Sequence, residues 1–209
     1  MSALLSSSSS SSSPPPAPPA PEPYKPTPDA LFAYIESLAT PPSGSSPSFG
    51  SFLDSGTGNH SLKWLLSLER SGCLAGWDAV TADRQMQAGT RRTLAELAPG
   101  SGGRILIGNW AAEATAATPA DAIIKNANGY LLPDHRYDTI LADYLIGAMD
   151  GFSPYYQDLI LPRLAEHLEP GGRIYVVGMQ PVPDEAPGRA NVVCDVRKVR
   201  DACILLAGE

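Results

Sequence analysis

Short apolar segments alternate with amphipathic segments from residue 49 to the end of the chain. The apolar segments have the length and composition of buried strands, and they are residues 49–53, 78–82, 104–107, 137–142 and 173–178. Apolar side chains recur at helical spacing in residues 62–70, 84–97, 155–168 and 191–207, and more weakly in 120–128. The alternation therefore predicts an α/β fold with a doubly wound, mostly parallel sheet of about five strands.

Two details of the carboxyl-terminal part follow from the same pattern. Residues 169–172, with the sequence Glu-Pro-Gly-Gly, predict a sharp turn before a fifth strand that is buried. The last helix, 191–207, has one apolar face on which it is expected to pack. The residues of that face are Val192, Val196, Val199, Cys203 and Leu206.

The first 48 residues differ in composition from the rest. Residues 1–28 contain an unbroken serine run, 6–13, and many of the prolines, so they cannot bury enough apolar surface to offset the entropy of ordering. We expect a disordered tail there, and a lead-in helix and linker over 29–48 with Asp29 as N-cap. The apolar residues expected to pack this helix are Leu31, Tyr34, Ile35 and Leu38. Residues 49–209 would then form one folded domain.

Composition limits the partners that the chain is expected to have. The formal net charge is -7, which disfavours nucleic acid because phosphate binding needs a positive surface. The sequence contains no apolar stretch of about 18 residues, so no membrane span is predicted. The scattered cysteines Cys73, Cys194 and Cys203 indicate buried thiols in a reducing compartment, with no metal site. We expect a cytoplasmic protein, and organelle targeting by the serine-rich N-terminus is the less favoured alternative.

Ligands of doubly wound sheets bind beyond the carboxyl ends of the strands, so the residues at those ends are the candidates. After the first strand, Asp54 precedes a turn that contains Gly56 and Gly58. Glycines in such a turn let the backbone approach a ligand closely. Two alternatives stay open, a plain glycine turn and a dinucleotide site, although Asp54 would repel a pyrophosphate and Ser61 replaces the last glycine of the dinucleotide motif.

The second strand ends at Asp83, whose carboxylate could accept hydrogen bonds from both hydroxyls of a ribose. An aspartate at this position could equally be only the N-cap of the next helix. Asp138 and the histidines His135 and His167 are expected to be surface residues away from the ligand.

The chain resembles the class I S-adenosylmethionine-dependent methyltransferases. The segments that carry the resemblance, in the order and spacing of that family's motifs, are 52–58, 80–83, 137–144, 161–164 and 168–177. The resemblance covers residues 49–178 and implies S-adenosyl-L-methionine as cofactor. It further implies a methyl acceptor, either a protein side chain or a small molecule.

The resemblance also implies roles for single residues. Asp54 would lie near the methionine part of the cofactor, with Gly56 and Gly58 beneath it and Asn59 following them. The other cofactor-binding residues would be Asp83 at the ribose, Arg84 beside the adenine, Asn109 at the adenine amino group and Trp110 over the ring. Asp143 would border cofactor and acceptor, and Asp143 and Tyr144 are the catalytic candidates for removing a proton. Phe152, Tyr155 and Tyr156 are candidates for acceptor contacts, or core residues.

The resemblance is incomplete at the carboxyl end. The family's sheet continues past its fifth strand with two further strands, and this chain stops after the predicted helix. We expect an open sheet edge there and interpret the chain as an incomplete gene product, with a minimal relative as the alternative. A non-catalytic cofactor- or partner-binding module and, less well supported, half of an NAD-dependent dehydrogenase are the competing functions. Nothing in the sequence indicates an oligomeric state.

Overall fold

The computed structural model describes residues 20–111, 131–133, 135–153, 156–178 and 183–207. The strands are β1 (Gly50–Asp54), β2 (Leu74–Thr81), β3 (Arg104–Ile107), β4 (Tyr137–Asp143) and β5 (Leu168–Val177). The α-helices are α1 (Ala30–Ala39), α2 (Asn59–Arg70), α3 (Arg84–Leu97), α4 (Leu145–Ala148), α5 (Gln157–Ala165) and α6 (Asn191–Ala207). Short 3-10 helices occur at Met149–Gly151 and Gly188–Ala190. The helix predicted at 120–128, the residue Tyr155 and the serine run lie outside the described residues.

The five strands form one sheet in the order β3-β2-β1-β4-β5, and every neighbouring pair is parallel. The chain therefore runs outwards from β1 to one edge and then returns past β1 to the other edge. This reversal places the carboxyl ends of β1 and β4 side by side at the point where ligands of such sheets bind. The predicted fold class is confirmed.

Helices cover both faces of the sheet. One core contains Phe52 from β1 and packs beneath α1 and α2, and the other contains the neighbouring Leu53 and packs beneath α4 and α5. Because successive residues of a strand point to opposite faces, these two buried residues serve different cores. Burial on both faces explains why the central strands contain nearly continuous apolar residues.

The lead-in helix forms as predicted, but it packs through a different face. Asp29 caps α1 by accepting from the amides of Leu31 and Phe32. The predicted packing residues Leu31, Tyr34 and Leu38 are exposed, and of the predicted set only Ile35 is buried. The residues that α1 buries are Phe32, Ile35, Glu36 and Ala39. Helical spacing of apolar residues alone gave the wrong face because a charged residue belongs to the packed one.

Glu36 fixes the orientation of α1. Its carboxylate is 2% exposed and accepts from Trp64 Nε1 at 2.8 Å, from Tyr24 Oη at 2.8 Å and from the amide of Thr27 at 3.1 Å. Residues 20–28, which the composition assigns to the tail, are therefore attached to α1 through Tyr24 and Thr27, and the amide of Glu22 donates to the carbonyl of Arg70 at the end of α2. A buried charge is tolerated where it is hydrogen-bonded, and here three donors surround it.

We expect Glu36→Ala to lower the free energy of unfolding by about 2 kcal/mol, because three buried donors lose their acceptor. Glu36→Gln is the matched control, since its carbonyl oxygen can still accept from Trp64 and its size is unchanged. Urea unfolding of the three proteins measures the difference. A loss of less than half this size for Glu36→Ala would contradict the anchoring role of the carboxylate.

The carboxyl-terminal elements differ most from prediction. The segment 169–172 is not a turn before the fifth strand but a bulge within it: Tyr137 pairs with Leu168, and the next paired residue, Thr139, pairs with Arg173. Gly171 has a φ of +86° in this bulge, a backbone conformation that side chains rarely adopt. No residue of β5 is fully buried, contrary to the prediction, because β5 is an edge strand and no described strand lies beyond it.

The helix α6 has exactly the predicted bounds, but its predicted apolar face is solvent-exposed. Val192, Val196 and Val199 are more than half exposed, and Cys203 is also exposed, contrary to the expectation of three buried cysteines. Only Cys194 of this helix is buried among the residues whose side chains the structure describes. The sequence pattern identified the helix correctly, and the part of the chain that the structure describes contains nothing that covers this face.

Candidate functional site

A cavity of about 350 Å³ lies at the carboxyl ends of the strands. The loops after β3, β2, β1 and β4 form its wall in that spatial order. Neighbouring strands lie about 4.8 Å apart, so the four loops extend over about 14 Å. The cavity is lined by Ser55, Gly56, Thr57, Gly58, His60, Ser61, Thr81, Ala82, Asp83, Met86, Gly108, Asn109, Trp110, Asp143, Tyr144, Leu145, Ala148, Met149 and Phe152.

Gly58, in the turn after β1, leaves open space rather than meeting a backbone requirement. Gly58 is extended, with φ -126°, a conformation that any residue adopts. A Cβ placed on Gly58 would meet no atom within 4 Å. Gly58 is also the N-cap of α2 and supplies no side chain to the first amides of this helix. The cavity is therefore open next to the positive end of a helix dipole.

Asp54 lies buried beneath this turn and does not line the cavity. Its Oδ1 accepts weakly from the amide of Gly56, at 3.4 Å, while its Oδ2 has no hydrogen-bond partner. Burial raises the pKa of Asp54 to about 6, although the hydroxyls of Ser61 and Thr57 act in the opposite direction. An unpartnered buried carboxylate oxygen costs stability, and such groups concentrate at functional sites.

Asp83, which follows β2, has two predicted roles, as a ribose ligand and as the N-cap of α3, and the structure shows the second. Asp83 caps α3 through Oδ1, which accepts from the amides of Gln85 and Met86. The same side chain lines the cavity, together with Met86 from the first turn of α3. Arg84 is exposed and does not line the cavity. Sequence reasoning missed Met86, although its position three residues after Asp83 places both side chains on one face of the helix.

Asn109 lines the cavity, but its amide group is largely occupied by the protein. Its Nδ2 donates to the carbonyl of Phe152 at 3.0 Å. Its Oδ1 accepts from the amide of Ala111 at 3.0 Å and from Ser153 Oγ at 2.9 Å. Both lone pairs of Oδ1 are thus used, so Asn109 holds the segment that carries Phe152 against the cavity.

Asn109→Ala is expected to release this segment and to increase the amide hydrogen exchange of residues 149–153 by about tenfold, because three hydrogen bonds are lost together. Asn109→Asp is the control, since it keeps both acceptor bonds and loses only the donor to Phe152. Unchanged exchange in Asn109→Ala would show that the segment is held by its own packing.

Trp110 forms an inner wall of the cavity. Its indole Nε1 donates to the carbonyl of Ser55 at 2.7 Å, and its ring packs edge-on against His167 with centroids 5.6 Å apart. His167 is 6% exposed, which corrects the prediction of a solvated surface histidine. Burial lowers the pKa of His167, Nδ1 donates to the carbonyl of His135, and Nε2 has no partner. The sequence did not reveal this burial, because Trp110, which packs against His167, is distant from it in sequence.

Asp143 is the last residue of β4, Tyr144 follows it, and both line the other end of the cavity. Asp143 is partly buried, and burial raises its pKa, while His60 acts to lower it. Tyr144 has a φ of 51°, a left-handed conformation that is costly for a residue with a side chain and that clusters at functional sites. Tyr144 and Phe152 are both about half exposed, which places two aromatic rings at the edge of the cavity.

The remaining candidate, Asn59, turns away from the cavity and accepts a hydrogen bond from Thr93 of α3 at 3.0 Å. Its neighbour His60 lines the cavity instead. The Nε2 of His60 lies 3.1 Å from Oδ2 of Asp29, the N-cap of α1. His60 directly follows Asn59 in the sequence, but no local signal connects it to Asp29, which is 31 residues away.

No family model matches the chain, and no curated protein does. Among solved structures, the fold is similar to an S-adenosylmethionine-dependent methyltransferase from Clostridium acetobutylicum, with 15% identity, 61% of this chain and 42% of that chain covered, and a TM-score of 0.39. It is also similar to the YcgJ protein from Bacillus subtilis, with 18% identity, coverages of 71% and 50% and a TM-score of 0.46.

A third similar structure is a methyltransferase from Thiobacillus denitrificans in complex with S-adenosyl-L-homocysteine, with 16% identity, coverages of 72% and 48% and a TM-score of 0.44. The chain spans half of the length of these structures or less. Similarity at this level does not identify an activity, so the function has to be argued from the residues around the cavity.

Two kinds of site are absent from the part of the chain that the structure describes. No group of three or more His, Cys, Asp or Glu residues is arranged to hold a metal ion there. Among the described helices, none has both the length and the apolar character needed to cross a membrane.

Proposed function

We propose that the chain binds S-adenosylmethionine in this cavity and transfers its methyl group to a small molecule or a protein side chain. The observation that carries the proposal is the order in which particular side chains occur along the four loops. Asn109 follows β3, Asp83 and Met86 follow β2, the glycine turn follows β1, and Asp143 ends β4. The ligand would extend over about 14 Å with its adenosine at the β3 end and its amino acid at the β1 and β4 end.

The residues present fit this ligand. Asp83 has one carboxylate oxygen committed to the helix cap, so its other oxygen is available to ribose hydroxyls. Met86 and Trp110 supply apolar surface suited to an adenine ring. The carboxylate of Asp143 suits the positively charged groups of the ligand, and the open space at Gly58 admits its amino-acid end.

S-adenosylmethionine, when bound, supplies a methyl group on a positively charged sulfur. The chain's own residues would orient the acceptor and keep water away from it. Tyr144 and Phe152 would hold an apolar or aromatic part of the acceptor, because both rings are exposed at the cavity edge. Asp143 is the candidate to take a proton from the acceptor, since it lines the cavity and its raised pKa brings it closer to the range of a general base.

Calorimetric titration with S-adenosylhomocysteine tests the proposal directly. We expect binding to the unaltered chain and none to Gly58→Val, whose side chain would occupy the open space above the turn. Gly147→Val is the matched control, because Gly147 also has open space around its Cβ but does not line the cavity. Absence of binding to the unaltered chain at millimolar ligand, or preference for NADH, would refute the proposal.

A second candidate is a non-catalytic, partner-binding member of the same fold. It is favoured by the open edge of β5 and by the exposed valines of α6, for which the described residues provide no cover. Transfer of labelled methyl groups to components of a cell extract, lost in Gly58→Val and kept in Gly147→Val, would exclude this candidate. Cofactor binding without any transfer would support it.

A further inference from the structure

His60 is an exposed side chain that is nevertheless held in place. Its ring stacks on Phe32 with centroids 5.0 Å apart, and Phe32 stacks on Trp64 at 4.4 Å. Its Nε2 is hydrogen-bonded to Asp29 at 3.1 Å. The side chain of His60 is 70% exposed and lies between the cavity and a groove on the outer surface.

The contact with Asp29 determines which nitrogen can serve a ligand. A carboxylate only accepts hydrogen bonds, so Nε2 carries a hydrogen and donates it to Asp29. In neutral His60, Nδ1 therefore has a lone pair and no hydrogen. Only after protonation does Nδ1 gain a hydrogen that it can donate to an anion. The structure gives Nδ1 no hydrogen-bond partner among the described residues.

Charged groups from several elements surround His60. Asp29 and Asp143 are the acidic groups that face it, one at the start of α1 and one after β4. The basic groups that share the outer groove with it are Lys25 and Lys63, and neither lines the cavity. The pKa of Asp29 is lowered, first by the amide of Phe32 and further by His60, as expected for a group that prefers to be charged beside it.

We propose that protonated His60, oriented by Asp29, binds the α-carboxylate at the amino-acid end of S-adenosylmethionine and S-adenosylhomocysteine. This assignment rests on the proposed function, because it concerns one end of the same ligand. His60 lies beside the first amides of α2, and an anion there would also gain from the positive end of this helix. Binding then takes up a proton, since neutral His60 has no hydrogen to donate from Nδ1.

The decisive test compares two ligands that differ at this end. S-adenosylhomocysteine carries the amino acid, and 5′-methylthioadenosine lacks it. Calorimetry from pH 6 to pH 8, in buffers of different ionisation enthalpy, measures both affinity and proton uptake. We expect proton uptake with S-adenosylhomocysteine only, and an affinity that falls as pH rises. Ionisation of Asp54, whose pKa is about 6, would strengthen binding of the ligand's ammonium group as pH rises, so a fall in affinity is diagnostic for His60.

Variants locate the effect. His60→Gln is expected to lower the affinity for S-adenosylhomocysteine about tenfold at pH 6 and to abolish the proton uptake. The affinity for 5′-methylthioadenosine should not change. Asp29→Asn keeps the capping oxygen of α1 but removes the charge beside Nε2, so part of the proton uptake should be lost. Lys63→Gln removes a nearby positive charge outside the cavity and should leave the ratio of the two affinities unchanged.

Several results would overturn the assignment. One is S-adenosylhomocysteine binding without proton uptake in the unaltered chain, and another is equal weakening of both ligands by His60→Gln. The third is failure of the unaltered chain to bind either ligand, which would also refute the proposed function. Binding that is abolished by Gly58→Val but unaffected by His60→Gln would refute only the role of His60.

Discussion

Trp110→Ala should lower the free energy of unfolding by about 3–5 kcal/mol, which is a large share of the stability of a typical domain. Trp110 is 6% exposed and belongs to the core that also contains Ile140 and Leu164. Removing the indole leaves a large void, a hydrogen-bond acceptor without its donor at Ser55, and the ring of His167 without its packing partner. Urea unfolding measures the loss in stability.

Trp110→Ala should also weaken the binding of S-adenosylhomocysteine, because Trp110 forms part of the cavity wall. Trp110→Phe separates the contributions: it keeps an aromatic ring against His167 and loses the hydrogen bond to Ser55, at a cost of about 1 kcal/mol. If Trp110→Ala destabilised the chain no more than Trp110→Phe does, the indole would not be a core residue.

Asp54→Asn should change how stability depends on pH. The pKa of Asp54 is about 6 in the folded chain, above its value in an unfolded chain, so the folded state binds the additional proton between about pH 4 and pH 6. Stability from this residue is therefore highest below that range and is lost as pH rises through it. Between pH 4.5 and pH 7.5 the loss is about 2 kcal/mol, and Asp54→Asn should abolish it.

The measurement is the difference in unfolding free energy between Asp54→Asn and the unaltered chain at the two pH values. Other groups cancel in this difference. Asp138→Asn is a control of opposite sign, because hydrogen bonds from Ser51 lower the pKa of Asp138 and its contribution is lost as pH falls. A pH-independent difference for Asp54→Asn would show that its carboxyl group is not perturbed by burial.

Asp54→Asn should also weaken the binding of S-adenosylhomocysteine, because it removes a negative charge beneath the cavity that attracts the ligand's ammonium group without touching it. The variant would then be more stable at neutral pH and poorer at binding. Such a trade-off is expected of a residue that is retained for function at a cost in stability. Tighter binding by the variant would contradict this interpretation.

Much of the fold was predictable because it follows from local pattern. The bounds of β3, α3 and α6 agree with the prediction, and Asp29 and Asp83 cap the helices α1 and α3. Periodicity and capping depend on neighbouring residues, so sequence reveals them directly. The candidate site was predictable to the same extent, because parallel strands bring their carboxyl ends, and hence Gly58, Asn109 and Asp143, to one edge of the sheet.

Other features depend on which partner an element meets. The sequence determined that α1 and α6 are helices, but the face that each buries was decided by tertiary packing. The buried Glu36 orients α1 because Trp64 and Tyr24 reach it from elsewhere in the chain, and the apolar face of α6 meets no described element. The pairing of His60 with Asp29, the contact of Trp110 with His167 and the burial of Asp54 were decided in the same way. Each joins residues distant in sequence or depends on neighbours from other elements, and local periodicity contains no information about such contacts.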